Sequence, residues 1–597
     1  MPILLLIGDP MTERKKIIAI LLLIMGITAL VHLRCLFLGF NFFWDGIHVF
    51  RNPFQTTFSF GLLSRIFTEI VEAEYTPLRL LSNSFDYTFW KFNPFGHHLT
   101  SYLFFLINVA LLFLVLLKIM EEAGCQFSRR IAIAGLTAIL FGIHPSKVEV
   151  VAWITPREYI ICACFYLLSI YIYIKWVGSS SLKWYLLAVL CALGAALSQP
   201  LSISLPPVLL ILDYYPLRRF RGRQWRWVLV EKIPFFLIAL LTIAKIIQIR
   251  HQVGIIHPAG VSSMLSNLFE FPAVIGFYIW KTIYPMVLLP IYPIELTNNI
   301  SLIIIFGLII IGVIVFAVIK KRKNPAFFVG VLIFIATILP YGGVVRSGAT
   351  VLADRYLYIV IIPLLLGLAW AIVRGWNFHY FRWPVALFTL LWIVFLIWKT
   401  ITYTGMWDQD VRLTRQAYDR YPGVKIIEIF MLRAYANAAM RMVKEGEFDI
   451  AFEYVHQAMK IKPDYIDAYL VMAHALSRQG NDEKAHQVYQ KAMEIKQNSI
   501  NTYVNLGVFH GNRGELGKAE VMFKTALEYG GDSAEAHYNL GLLYKRQQKF
   551  PSAVWELERA LALNSFSPQI YYNLAEVLEL QGKKKEAALI REGVPAK

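Results

Sequence analysis

The chain has 597 residues, is 57% hydrophobic and only 16% charged, and its repeated apolar runs of about 17–25 residues match the length that crosses a hydrocarbon core of ~30 Å. An ordinary soluble globule is excluded. The net charge of +18 does not point to nucleic acid either: residues 1–403 hold 33 Lys and Arg against 16 Asp and Glu, whereas residues 404–597 hold 25 against 24, so the excess lies in the apolar half, where basic loops mark the cytoplasmic side.

The first apolar run, 17–38, is too long for a signal-peptide core and lacks a small-residue cleavage site, so it is expected to be retained, with Arg14, Lys15 and Lys16 in the cytoplasm. Further spans are predicted near 99–118, 130–145, 158–176, 184–198, 200–213, 230–249, 301–319, 326–341, 352–373 and 383–403, eleven in all. Threading them alternately places Lys118, Arg129 and Arg130, Lys175 and Lys183, the basic stretch 218–227, Lys320 to Lys323, and Arg374 and Arg382 on the cytoplasmic side. The stretch FPAVIGFYIWKTIYPMVLLP (271–290) breaks this alternation and is read as interfacial or re-entrant, as its three prolines permit. An odd span number then puts residues beyond 403, and the loops 39–98, 146–157 and 342–351, outside the cytoplasm. The five cysteines lie in or beside spans and imply no disulfide framework, which favours a bacterial inner membrane over an endoplasmic reticulum membrane.

Ionisable groups near spans are functional candidates, because burying a charge unpaired costs several kcal/mol. Four polar stretches fall on the outer side: FWDGIHVFRNP with Asp45 and His48, residues 74–99 with His97 and His98, HPSKVEVVAWITPREYI with Lys147, Glu149, Arg157 and Glu158, and PYGGVVRSGATVLADRYLY with Arg346, Asp354 and Arg355. A fifth, 197–219, ends in Asp213 on the cytoplasmic side. Carboxylates and guanidiniums together suit transfer of a sugar from a lipid phosphate to a hydroxyl: a carboxylate takes the hydroxyl proton, and Arg346 or Arg355 holds the phosphate as it leaves. The plainer alternative makes these groups structural, Glu149 pairing with Lys147 or Arg157 and Asp354 with Arg355, and the His97–His98 pair interfacial rather than metal-binding. No Gly-rich phosphate loop, HExxH or GxSxG motif is present.

Residues 432–597 repeat with a period of 34, units starting at Leu432, Ile466, Ile500, Ala534 and Pro568. The fifteenth place holds Gly446, Gly480, Gly514 and Gly582, with Gln548 departing; the twentieth holds Ala451, Ala485, Ala519, Ala553 and Ala587. Glycine permits a tight turn between two helices and alanine lets them approach closely. The sixth place carries Asn437, Asn505, Asn539 and Asn573, whose amides are candidates for pairing with the backbone of an acceptor or partner protein. The spacing resembles tetratricopeptide repeats.

The set FFWDGIHVFRNP, YTPLRLLSNSFDY, NPFGHHLTSYLFFLINV, HPSKVEVVAWITPRE, LSQPLSISLPPVLLILDYYPL and ADRYLYI, followed by these repeats, resembles the transmembrane and tetratricopeptide-repeat containing O-mannosyltransferases and their bacterial relatives. The resemblance implies an all-α chain: a polytopic membrane domain of the C-type glycosyltransferase fold over 1–403, a connector over 404–431 and five repeats over 432–597. It implies a polyprenyl-phosphate sugar donor, a protein hydroxyl acceptor and an acidic residue of the first outer loop acting as base or acceptor-positioning group, which carries onto Asp45; it leaves a divalent metal open. Relatives show two consecutive acids after the aromatic, and here Asp45 is followed by Gly46. The alternative is therefore an inactive relative acting as a membrane-anchored scaffold; a transporter ranks last, because the membrane half shows no internal repeat.

Overall fold

The computed structural model describes residues 13–41, 45, 58, 60–70, 74–220, 225–252, 261–293, 296–297, 299–341, 352–563 and 567–592. Among them the chain is all-helical and divides into two compact units, one built from residues up to Phe40 and from Ser59–Asp408, the other from Asn41–Phe58 and Gln409–Lys597.

In the first unit seven helices are long and apolar enough to cross a membrane: Glu13–Phe37, Pro94–Glu122, Arg157–Ser179, Trp225–Ile249, Ile300–Lys320, Asp354–Trp376 and Arg382–Asp408. Phe127–Ile143 and Pro145–Ala152, bent by 55°, count as an eighth when the bent pair is taken as one span. Three shorter apolar helices, Leu182–Ala196, Pro200–Tyr214 and Pro325–Tyr341, match the remaining expected segments. The chain is a membrane protein, and each of the eleven apolar runs read from the sequence is helical.

Two segments take a form that the sequence reading did not specify. Residues 146–157, read as a connection on the outer side, are buried throughout and partly helical. Pro145 breaks the preceding helix, and the Pro145–Ala152 segment folds back into the protein, where its charged groups find partners. In the stretch 271–290, read as interfacial or re-entrant, a helix that begins at Val261 continues through Pro272 and stops at Ile283, and the chain then runs without helix past Pro285 and Pro290.

The cytoplasmic-side candidate Asp213 is fully buried in a closed network. It accepts from the Tyr173 hydroxyl at 2.8 and 2.7 Å and pairs with Lys232 at 2.6 Å and Arg219 at 3.5 Å, while Arg219 reaches Glu231 at 2.7 Å. Two anions meet two cations, so the network is charge-balanced and ties Arg157–Ser179 to the chain around 213–232.

In the second unit, helix Asp410–Arg420 packs on Lys425–Glu445, with Arg415 donating to the Tyr435 hydroxyl at 2.9 Å. Paired helices follow: Phe448–Ile461, then Ile466–Arg478 with Asp482–Ile495, Ile500–Asn512 with Leu516–Gly530, Ala534–Arg546 with Phe550–Leu563, and Pro568–Leu580 with Lys584–Glu592. The expected roles of the repeated residues hold. Ala451, Ala485, Ala519, Ala553 and Ala587 are fully buried between helices. Gly446, Gly480, Gly514 and Gly582 adopt φ between 77° and 86°, the left-handed region that costs other residues about 1–2 kcal/mol.

Gln548, the one departure at that place, is held at φ 60° all the same. The neighbouring repeats dictate the turn, and the glutamine bears the strain. Gln548→Gly is expected to stabilise the array by about 0.5–1 kcal/mol, the relief of strain less the added freedom of the unfolded glycine; the urea midpoint of the repeat transition in the full chain measures it, and an unchanged or lowered midpoint would contradict the assignment.

Candidate functional site

Besides the Asp213 network, two buried polar clusters of the membrane unit gather the outer-side candidates, and they differ in kind. The first is centred on Arg157, which lies at the start of Arg157–Ser179 and is completely buried. Its guanidinium forms an ion pair with Asp86 and donates to Ser101 Oγ at 2.9 Å, Ser82 Oγ at 3.1 Å, Asn83 Oδ1 at 3.2 Å and the His97 carbonyl at 2.6 Å. Asp86 also accepts from Thr100 at 2.5 Å and faces His97 Nδ1 at 3.5 Å. Nearby, Arg79 is likewise buried and faces Glu158 at 3.8 Å and Glu74 at 3.4 Å. Arg157 is thus a hub that ties the Pro77–Trp90 helix to the starts of two apolar helices.

The second cluster gathers Glu149, Asp354 and Arg355. Glu149 does not pair with Lys147 or Arg157, the partners its neighbourhood in sequence suggested. It binds Arg355, from Nη1 at 2.5 Å and from the backbone N–H at 2.7 Å, and the Asp354 N–H also points at its carboxylate. These N–H groups open the Asp354–Trp376 segment, so Glu149 caps a helix that belongs to a distant part of the sequence. Asp354 is held elsewhere: it accepts from the Tyr292 hydroxyl at 2.8 and 3.0 Å and from the Leu289 N–H at 3.2 Å, and Lys281 reaches Tyr292 at 3.0 Å. The adjacent Asp354 and Arg355 therefore serve separate partners rather than each other.

Arg355 is also framed by aromatic rings, Trp153 at 5.6 Å and Tyr356 at 5.2 Å, and its side chain keeps 14% exposure. Tyr356 stacks on Tyr341 at 4.5 Å, which stacks on Tyr159 at 6.4 Å. Lys147, fully buried, donates to the carbonyls of Leu357 and Tyr358 at 3.1 Å each. A guanidinium fixed by a carboxylate between flat rings can hold an oxyanion in one orientation.

Of the remaining candidates, His48 and Arg346 lie outside the described residues. Asp45 is buried, and its carboxylate accepts from the Asn41 N–H at 3.1 Å. In the repeats, Asn505, Asn539 and Asn573 each donate to the carbonyl four residues earlier, at 2.8, 2.9 and 2.8 Å, and Asn437 is exposed. One amide proton of each bonded asparagine is thereby used along its own helix. His97 and His98 are buried, and among the described residues no group of three or more His, Cys, Asp or Glu side chains is placed to hold a metal ion.

Sequence reasoning passed over Asp86, Lys281 and Tyr292. Asp86 and Tyr292 carry no charge neighbour in sequence that would single them out, and Lys281 sits in the stretch set aside as interfacial; only the fold supplies their partners.

The comparisons bear on both units. Models of the tetratricopeptide repeat match residues 442–506, 510–560 and 540–596. The C-terminal array consists of tetratricopeptide repeats. Solved structures similar to the chain include MamA from Desulfovibrio magneticus RS-1, 18% identical, covering 27% of this chain and 90% of that one with a TM-score of 0.23, and pilF of Pseudomonas aeruginosa, 19% identical, covering 28% and 77% with a TM-score of 0.25. Over 67% of its length the chain is 23% identical to Protein O-mannosyl-transferase F38B6.6 of Caenorhabditis elegans, and the match spans 57% of that relative. The resemblance read from the motifs is supported by a relative that bears both the transferase name and a match well beyond the length of the repeats.

If Arg157 is the structural hub described, Arg157→Ala leaves Asp86 buried without its counter-charge and should cost about 3–5 kcal/mol. Arg157→Lys, which restores the charge but not the fork of donors, should recover part of it. Thermal unfolding of the purified protein in detergent reads both, and a loss below about 1 kcal/mol for the alanine variant would remove the hub assignment.

Proposed function

We propose that this chain is a membrane glycosyltransferase that moves a sugar from a polyprenyl-phosphate donor to a protein hydroxyl on the extracytoplasmic side, with the acceptor held by the repeats. The observation that carries the reading is the Arg355 guanidinium fixed by Glu149 and flanked by Trp153 and Tyr356 within an apolar unit. The similarity to a protein O-mannosyl-transferase supports it.

In the proposed reaction the acceptor oxygen bonds to the anomeric carbon as the bond from that carbon to the phosphate oxygen breaks. The bonding pair leaves with the phosphate, where Arg355 and Arg346 offset the growing negative charge. Asp45 takes the proton of the hydroxyl. Glu149 and Asp354 orient the phosphate-binding end through Arg355 and Tyr292, and Arg157 positions the same segment from the structural side. Asn437, Asn505, Asn539 and Asn573 offer amide groups on the first helix of four repeats for the backbone of the acceptor.

One observation favours a second reading, a membrane-anchored scaffold without turnover: Gly46 stands where relatives carry a second acid, and the Asp45 carboxylate is already engaged by the Asn41 N–H. The two readings separate in one experiment. Asp45→Asn should lower transfer by about 10²-fold or more while leaving the unfolding temperature unchanged, as read by a hexose-sized mass on proteins that co-purify with wild type and not with the variant; a partner bound equally and unmodified in both would establish the scaffold. A reporter fused after Lys597 should be active outside the cytoplasm, and activity confined to the inside would sink the orientation.

A further inference from the structure

The repeats are alike in fold and unlike in the charge they carry on the asparagine face. The second, sixth, ninth and thirteenth places of each first helix fall within an arc of about 60° around the helix axis, and Val471 alone among these residues is buried. This face carries Asn437, Asn505, Asn539 and Asn573, and a superhelix of stacked repeats offers such a continuous face to an extended partner.

The thirteenth place holds Lys444 and Arg478 in the first two repeats, and His474 precedes Arg478 by one turn of the same helix. Arg433, at the second place of the first repeat, adds another exposed cation. Among the described residues none of Arg433, Lys444 and Arg478 makes an ion pair or a side-chain hydrogen bond, and Glu445 and Glu447, which follow Lys444 in the chain, leave it unpaired. The acid on this face of the two repeats, Asp467, accepts from the Tyr465 hydroxyl at 3.0 Å. Lys444, His474 and Arg478 lie close enough to act on one another: burial, then Arg478 and Lys444, hold His474 below the ordinary histidine range.

The cations of the next two repeats are engaged within the array. Arg513 pairs with Asp482 at 2.6 Å and with Glu515 at 3.2 Å, Lys545 pairs with Glu576 at 2.6 Å, and Arg546 donates to the Gly511 carbonyl at 3.2 Å. The second repeat also departs at the sixth place, where buried Val471 replaces the asparagine. The row of amides is therefore interrupted where the unpaired cations gather, and it resumes at Asn505 and Asn539 where the cations are engaged. Like charges held this close repel one another, and acidic side chains of a partner are the complement that offsets the repulsion.

We propose that the first two repeats read acidity in the acceptor: Arg433, Lys444 and Arg478 engage Asp or Glu side chains of an extended segment, and Asn505 and Asn539 hold the backbone of its neutral continuation. This rests on the reading of the repeats as the acceptor-binding part of a transferase. It narrows the acceptor to chains in which an acidic run adjoins a neutral, hydroxyl-rich stretch.

The test uses the full-length chain in detergent and two fluorescent peptides of about 20 residues, ~65 Å at full reach. One joins a run of Asp and Glu to a stretch of Ser, Thr and Gly; the other has Asn and Gln in place of the acids, and anisotropy reads both affinities. Wild type should bind the acidic peptide about tenfold more tightly, with the advantage shrinking as salt is raised. Lys444→Glu and Arg478→Glu should each weaken binding of the acidic peptide about tenfold. Both variants should leave the neutral peptide's affinity and the unfolding temperature unchanged, because neither side chain has a partner in the fold. Lys585→Glu, an equal change of net charge at an exposed position on the second helix of the last repeat, should leave both affinities at wild-type values. Three results would overturn the assignment and leave the repeats as an acceptor surface: no preference for the acidic peptide, wild-type affinity in both glutamate variants, or an equal loss with Lys585→Glu. Absence of saturable binding of either peptide by the wild type would overturn both.

Discussion

A charge placed in an apolar medium must meet its counter-charge or a full set of dipoles, because neither lipid nor the packed protein interior replaces the lost water. The Arg157–Asp86 pair is where this chain meets that constraint most completely. The pair draws in Ser82, Asn83, His97, Thr100 and Ser101, so the polar segment 74–99 is bound to the start of Arg157–Ser179. The same connection contains Pro145–Ala152, the short helix that carries Glu149. Fixing Arg157 therefore fixes the segment from which Glu149 caps and orients Arg355.

The polar networks of the membrane unit separate by saturation. Around Arg157 and around Asp213, anions and cations balance and the donors of the central group are used, which is what a structural network requires. Around Arg355 the guanidinium is held by Glu149 and flanked by Trp153 and Tyr356, and its side chain keeps 14% exposure. Buried networks that are complete rigidify a fold.

How far the sequence reached depends on the range of the interaction involved. The apolar runs and the 34-residue period are local or periodic patterns, and the helices follow them closely, down to the turn glycines and the buried alanines. Even Gln548 shows the repeat overriding residue preference. Partner choice among charged residues was illegible because it is set across 206 positions in the case of Glu149 and Arg355. Nearby charges in sequence suggested Lys147 or Arg157, and the break at Pro145 turned Glu149 away from both.

The balance between an active transferase and a scaffold turns on where each would keep polar groups. A scaffold needs its membrane unit only as an anchor, and for that role each buried charge beyond a closed pair is a loss of stability with no return. The Arg157 and Asp213 networks fit such an anchor. The Arg355 cluster is a costlier choice for an anchor, since replacing its buried ion pair with Glu149 by apolar groups of similar volume would hold the helices as well or better. In the repeats Asn505, Asn539 and Asn573 each spend one amide proton on their own helix, and Asn573 also donates to the Tyr538 hydroxyl at 3.1 Å and accepts from Lys545 at 3.4 Å. A guanidinium fixed by Glu149 within the membrane unit and a tetratricopeptide-repeat array that follows it in the chain are features that the proposed transferase would use and a bare anchor would not.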